Sequence, residues 1–236
     1  KVNNDAQPGT TITNYATVYF PSVCEETRTN TIVSVIPHQT QIVYSGQNNV
    51  QYSDTLKLQA LLSTVDGKRI PYSPVIFTIG NSSYTAITSS EGVVTLDISA
   101  EQPAGEYTMS VEYYGDGFYY LPSSSSVLLT IEKKNIVLSD PSTYMYYQST
   151  GTAFVTMFAP ENKPMILHEE EPILYLEYYD GESWILLDES PLSVYEAIFE
   201  FTLAEKPTKV SLDLRVRFDG NDRYNSGYST GCLTII

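Results

Sequence analysis

Five aromatic rings around one turn are the side chains of this chain that are best suited to recognise a ligand. They flank Gly115-Asp116-Gly117 and belong to Tyr113, Tyr114, Phe118, Tyr119 and Tyr120. Exposed rings can stack on the faces of sugars or pack against a neighbouring module. Tyr113 has the inward register of its predicted strand, which leaves Tyr114, Phe118 and Tyr120 as the candidate ligand-binding residues. Packing against a neighbouring module is the favoured use, because Tyr224 holds the equivalent place in a second, similar segment.

Two kinds of acidic segment offer oxygen ligands for a metal ion. Gly115-Asp116-Gly117 and Asp219-Gly220-Asn221-Asp222 leave calcium open as an alternative, but neither has the carboxylate spacing of a calcium loop. Asp and Asn before Gly are also the residues that tight turns favour. The run Glu169–Glu171 beside His168 is interpreted as a solvated loop, because one His among adjacent carboxylates fixes no coordination geometry. We therefore predict neither a metal site nor a cofactor.

Catalytic chemistry has no candidate residues in this sequence. The two histidines, His38 and His168, fall in predicted loops of different modules, and no nucleophile has a base at a recognisable spacing. We therefore predict that this chain is not an enzyme. Asn81-Ser82-Ser83 is a glycosylation sequon on a predicted turn, which makes Asn81 a candidate modification site. Cys24 and Cys232 lie in different predicted domains and are expected to be free thiols.

The composition is that of an all-β protein with few charges. Only 17% of the 236 residues are charged, 42% are hydrophobic and 20 are tyrosine, which favours half-buried strands. A net charge of −15 argues against nucleic acid and anionic membrane surfaces as partners. No run of 18 apolar residues occurs, so no membrane insertion is expected. Because residue 1 is Lys, we expect a processed or excised part of a longer protein, with any export signal or anchor elsewhere.

An internal repeat organises the chain. Ala100-Glu101-Gln102-Pro103 is followed by a Gly-Asp turn and closes on Leu129-Thr130-Ile131; Ala204-Glu205-Lys206-Pro207 leads in the same way to Leu233-Thr234-Ile235. Matching positions lie 104 or 105 residues apart, which is about the length of one immunoglobulin-like domain.

Period-two alternation of apolar residues places the strands. Residues 11–20 and 27–36 predict a hairpin, residues 39–132 one sandwich and residues 133–236 a second. The second copy is expected to have strands near 143–148, 152–158, 173–179, 183–188, 194–203, 210–219 and 228–236. Seven strands in about 100 residues, separated by turn signals, predict immunoglobulin-like β-sandwiches in tandem.

Turn motifs follow one another in order along residues 39–132. They are Asp66-Gly67, Ser90-Glu91-Gly92, Pro103-Ala104-Gly105-Glu106-Tyr107 and Tyr114-Gly115-Asp116. Together they resemble the bacterial and archaeal Ig-like repeat domains of large adhesin-like surface proteins. Residues 133–236 resemble a divergent member, through Tyr178-Tyr179-Asp180-Gly181, Trp184 and Phe218-Asp219-Gly220-Asn221-Asp222. Residues 1–36 resemble the last two strands of another surface repeat.

The resemblance implies an extracellular, cell-surface location and a stalk or adhesive role. The leading hypothesis is a non-catalytic segment of a surface protein whose partners are neighbouring repeats and an unknown surface ligand, protein or glycan. The alternative is a pair of carbohydrate-binding or accessory modules from a secreted polysaccharide-degrading enzyme. Residues 1–36 are interpreted as the remnant of a preceding repeat, with polymerisation through strand pairing as the alternative.

Overall fold

The computed structural model describes residues 6–19, 21–22, 27–160, 171–204 and 210–236. Throughout these residues the chain is built from β-strands, and they contain no α-helix. None of them forms a helix that is long and apolar enough to cross a membrane. The chain divides into two compact units. Unit 1 contains Lys1–Asn49, Thr55–Ser99 and Glu106–Thr130, and unit 2 contains Val50–Asp54, Ala100–Gly105 and Ile131–Ile236.

The first strands form an antiparallel ribbon. β1 (Thr11–Asn14) pairs with β4 (Ile32–Val35), and β2 (Thr17–Val18) pairs with β3 (Thr27–Arg28). The predicted strands 11–20 and 27–36 are therefore each interrupted. At the interruption the Thr29 hydroxyl accepts a hydrogen bond from the Ala16 amide (2.8 Å), and the Thr29 amide donates to the Ala16 carbonyl (2.8 Å). Most side chains of these four strands are exposed.

The first sandwich contains strands β5 to β12. These are β5 (Thr40–Tyr44), β6 (Asn49–Gln51), β7 (Thr55–Thr64), β8 (Pro74–Ile79), β9 (Ser82–Ile87), β10 (Val93–Ser99), β11 (Gly105–Tyr113) and β12 (Ser123–Glu132). One sheet has the order β10-β7-β5 and the other the order β6-β12-β11-β8-β9. The predicted alternation is confirmed, since Leu56, Leu58, Ala60 and Leu62 are buried while Lys57 and Gln59 are exposed.

The second sandwich repeats this strand order. It contains β13 (Val137–Leu138), β14 (Thr143–Met145), β15 (Gly151–Phe158), β16 (Ile173–Tyr179), β17 (Trp184–Pro191), β18 (Glu196–Phe201), β19 (Ser211–Phe218) and β20 (Gly227–Ile235). Its sheets have the orders β13-β15-β18 and β14-β20-β19-β16-β17. The Asp180-Gly181 hairpin is confirmed, with Tyr179 paired to Trp184 across the turn. Leu212, Leu214, Val216 and Phe218 are buried, as their alternation predicts.

Each sandwich has eight strand segments where the sequence predicts seven. The additional segment arises because the first strand divides and contributes to both sheets: β5 and β6 in the first copy, β13 and β14 in the second. In the first copy the division lies at Gly46, where a Cβ would approach the Gln59 nitrogen and the Lys57 oxygen to 2.6 Å. A glycine therefore lets the backbone cross closely over β7. β14 pairs in parallel with β20, a pairing that alternation alone does not reveal.

Candidate binding sites

The aromatic turn of unit 1 is organised by one carboxylate. Asp116 Oδ1 accepts hydrogen bonds from the backbone amides of Phe118 (2.9 Å), Tyr119 (2.7 Å) and Tyr120 (2.8 Å). Desolvation alone would raise the pKa of Asp116, but these amide hydrogen bonds outweigh it, so its pKa lies below the ordinary value. Gly115 has a φ of +79°, and a Cβ there would meet the Tyr120 oxygen at 2.5 Å. The turn is thus held by the Asp116 side chain together with a glycine.

Replacing Asp116 with alanine is expected to destabilise the first sandwich by about 1 kcal/mol, because three amides lose their acceptor at a solvent-exposed site. Asp116→Asn is the matched control, since it keeps an acceptor oxygen, as Asn221 does in the second copy. A carboxylate with a lowered folded pKa stabilises above its unfolded pKa of about 3.9 and loses that contribution as pH falls through the folded value. Urea unfolding at pH 7 and pH 3 should therefore show a smaller pH effect in Asp116→Asn. Equal stability of the alanine variant and the wild type would contradict this role.

The structure brings the three candidate ligand-binding residues of the sequence together in unit 1. Tyr114, Phe118 and Tyr120 line a cleft of about 370 Å³. The other lining residues are Val33, Ser34, Val35, Pro37, Gly117, Leu121 and Pro122. Tyr114 is 67% exposed and Phe118 is 44% exposed, whereas Tyr113 is buried, as its register predicts. The Tyr114 hydroxyl donates to Glu112 (2.8 Å), and this hydrogen bond together with the Glu112 charge raises the pKa of Tyr114.

The equivalent turn of unit 2 is one residue shorter and has a different environment. Asn221 Oδ1 accepts from the amides of Arg223 (2.9 Å) and Tyr224 (2.8 Å), as Asp116 does in unit 1. Tyr224, unlike Tyr120, is buried within unit 2 and packs edge-on against Tyr52 with ring centroids 5.3 Å apart. Lys134, also buried in unit 2, forms an ion pair with Asp54. In this copy the turn tyrosine therefore belongs to the packed core of unit 2. Packing of such rings against a neighbouring module stays a prediction.

The remaining sequence candidates are placed separately. Asn81 is exposed on the turn between β8 and β9. His38 pairs with Tyr120 beside the aromatic turn, with ring centroids 5.9 Å apart. Among the residues that the structure describes, no group of three or more His, Cys, Asp or Glu side chains is arranged to hold a metal ion. Cys232 is free and exposed. Cys24, His168, Glu169 and Glu170 lie outside the described residues.

Unit 2 also contains a charged cluster that the sequence does not predict. Glu177 on β16 is buried on the outward face of the sheet of unit 2, between Arg215 and Arg217 of β19. The signal was present as two outward pairs, Tyr175 with Glu177 and Arg215 with Arg217, each two residues apart on a predicted strand. The sequence does not show that β16 and β19 are neighbouring strands, nor which of their residues are paired.

Comparisons with known proteins bear on the fold. No protein-family model matches the sequence, and no curated protein matches it. A tetra-tandem repeat in the extending region of a large adhesion protein is similar in structure, with a TM-score of 0.52 and 11% sequence identity. The match covers 95% of this chain, which spans 56% of the length of that chain.

Two further solved structures are similar with lower TM-scores. One is the adhesin InvE of Yersinia pseudotuberculosis, with a TM-score of 0.35 and 11% identity, covering 82% of this chain and 58% of that chain. The other is from a 1.5-MDa bacterial ice-binding adhesin, with a TM-score of 0.36 and 12% identity, covering 96% of this chain and 91% of that chain. The strand order and the likeness to the tetra-tandem repeat show that the chain is all-β and built of Ig-like β-sandwiches.

Proposed function

We propose that this chain is a non-catalytic structural and adhesive segment of an extracellular surface protein, with residues 39–132 and 133–236 as successive Ig-like domains. The observation that carries the proposal is the duplicated strand order of two sandwiches, each with its own buried core. Repeated domains of this kind extend a chain without needing a catalytic centre. The likeness to a repeat from the extending region of an adhesion protein supports the same role. Neighbouring repeats are then its nearest partners, and residues 1–36 are the end of a preceding repeat.

Cell fractionation tests the proposed location and separates the two functional hypotheses. An antibody against this chain is expected to label intact, unpermeabilised cells of the organism that makes it, and the antigen is expected to sediment with those cells. The alternative, accessory modules of a secreted polysaccharide-degrading enzyme, is favoured by the exposed aromatic cleft of unit 1. That alternative requires the antigen in the culture medium, together with polysaccharide-degrading activity in the same fraction. Antigen found only after permeabilisation contradicts both hypotheses.

A further inference from the structure

The outward face of the five-stranded sheet in the second sandwich carries alternating charged and aromatic side chains. We call the following residues of unit 2 the arginine–aromatic face: Tyr175, Glu177, Trp184, Arg215, Arg217 and Tyr228. They come from four adjacent strands, β17, β16, β19 and β20, and their register places them side by side. Tyr228 is 71% exposed and Trp184 is half-buried.

Glu177 lies at the centre of this face and fixes both arginines. Arg215 donates from Nε (2.8 Å) and Nη2 (2.5 Å) to Oε2 of Glu177, while Arg217 donates from Nε (3.0 Å) to Oε1. The Nη1 of Arg217 also contacts Asp219. Charge-assisted hydrogen bonds of this kind hold the guanidinium planes in defined orientations. The hydrogen bonds of Arg217 to these two carboxylates use its Nε and Nη1.

Aromatic stacking fixes the arginines further. The guanidinium carbon of Arg215 lies 4.4 Å from the centroid of the Trp184 ring, and that of Arg217 lies 4.3 Å from the centroid of Tyr175. These are cation–π distances. The polar groups of this face are therefore set in position before any ligand arrives, which reduces the entropy lost on binding.

A shallow cleft of about 490 Å³ opens next to these groups within unit 2. It is lined by Arg215, Arg217, Phe218, Asp219, Ser226, Gly227 and Tyr228. The volume falls within the range of about 300–1,000 Å³ that small-molecule sites occupy. The exposed Tyr228 ring offers a flat apolar surface, Arg217 offers donors, and Asp219 and Ser226 offer acceptors. Such a combination matches a pyranose ring, which presents an apolar C–H face and hydroxyls that both donate and accept.

The first sandwich shows that the fold does not need this cluster. Ser110 pairs with Thr78 where Arg215 pairs with Glu177, and Glu112 pairs with Ile76 where Arg217 pairs with Tyr175. The residue 104 positions before Tyr228 is Ser124. The sheet of the same strand order in the first sandwich thus has no arginine and no aromatic residue at these five places. The arginine–aromatic face is a property of the second copy alone, so a role in recognition explains it better than a requirement of the sandwich.

Charge decides which sugars fit. The two arginines are matched by the carboxylates of Glu177 and Asp219, so the face has no excess positive charge. The chain as a whole has a net charge of −15, which repels anionic ligands at a distance. An uncharged glycan is therefore favoured over a sialylated, sulfated or uronic acid glycan.

We propose that the arginine–aromatic face binds an uncharged pyranose residue of a glycan, stacked on Tyr228 and hydrogen-bonded by Arg217, Asp219 and Ser226. This proposal rests on the adhesive role proposed above, since it supplies that role with a ligand class and a site. The site lies on the sheet of the second sandwich, apart from the aromatic cleft of residues 114–120 that the sequence predicts.

A glycan array probed with the full 236-residue chain tests the site, followed by titration calorimetry with the best uncharged glycan. Binding to uncharged glycans is expected, and Tyr228→Ala is expected to weaken it about tenfold or more, since the stacking surface is lost. Tyr228→Phe keeps the ring and should bind within about threefold of the wild type. Arg217→Lys is also expected to weaken binding, because an ammonium group cannot reproduce the fixed fork of donors.

Tyr144→Ala is the matched control, because Tyr144 of β14 is similarly exposed (65%) but does not line this cleft. It should leave binding unchanged. Circular dichroism and the unfolding midpoint of each variant would show that the fold is retained. Absence of binding to every uncharged glycan, binding to acidic glycans alone, or loss of binding in Tyr144→Ala but not in Tyr228→Ala would each overturn the proposal. None of these results would contradict the surface location, because cell fractionation tests that location separately.

Discussion

Truncating Phe77 to alanine is expected to destabilise the first sandwich by about 3–5 kcal/mol, and Phe199→Ala is expected to destabilise the second sandwich by a similar amount. Both rings are fully buried, Phe77 on β8 and Phe199 on β18. Removing either ring leaves a cavity that close-packed neighbours fill only in part. Because residues 39–132 and 133–236 are proposed as separate domains, each variant should lower a different unfolding transition. Differential scanning calorimetry of the two variants beside the wild type is the measurement.

Phe154 supplies the matched control. It lies on β15, opposite Ile198, but its ring is 58% exposed, so Phe154→Ala should change stability by less than about 1 kcal/mol. If Phe77→Ala and Phe199→Ala shifted one common transition by the same amount, the two sandwiches would unfold together. The proposed division into domains would then be wrong, although the fold itself would be unaffected.

The strands could be predicted from the sequence because alternation of buried and exposed residues is a local property. β19 can be predicted from its own residues alone, because its apolar residues alternate with polar ones: Leu212, Leu214, Val216 and Phe218. The divided first strand could not be predicted in the same way. β6 has three residues and β14 has three, and their assignment to the second sheet depends on pairing with β12 and β20, far along the chain. Local pattern therefore gives the number and order of the long strands, and long-range pairing gives the rest.

The two candidate sites differ in the same way, because one lies within a single turn and the other is assembled from distant strands. Tyr114, Phe118 and Tyr120 lie within seven residues of each other, so their proximity follows from the turn itself. The arginine–aromatic face is assembled from residues up to 53 positions apart in the chain, from Tyr175 to Tyr228. Glu177 carries no sign in the sequence that it is buried, because carboxylates are seldom buried unless they are paired. Its partners are identified only by the register of β16 against β19.

The structure gives a physical reason for the glycine in one of the predicted turn motifs. Gly92 closes the Ser90-Glu91-Gly92 motif and has a φ of +71°, which favours glycine. Its carbonyl accepts a hydrogen bond from the Leu62 amide (2.9 Å), and its amide donates to Ser89 (3.0 Å). A Cβ at this position would lie 2.7 Å from the Leu62 oxygen and 3.2 Å from both Arg69 Cβ and Ile70 N. Two independent constraints, conformation and space, therefore select glycine here.

Gly92→Ala is consequently expected to destabilise the first sandwich by about 3 kcal/mol or more. A left-handed backbone costs a non-glycine residue about 1–2 kcal/mol, and the contact with backbone atoms of Leu62 and Ile70 adds strain that no side-chain rotation relieves. Gly67→Ala separates the two contributions, since Gly67 has a φ of +93° but no atom within 4 Å of the added Cβ, so only the conformational cost of about 1–2 kcal/mol applies. Urea unfolding of both variants measures the difference. If the two losses were equal, the close approach of Gly92 to β7 would contribute nothing to stability. If Gly92→Ala lost more, as the backbone contacts require, the glycine of this turn motif would be explained by the packing of the loop against Leu62, near the end of β7.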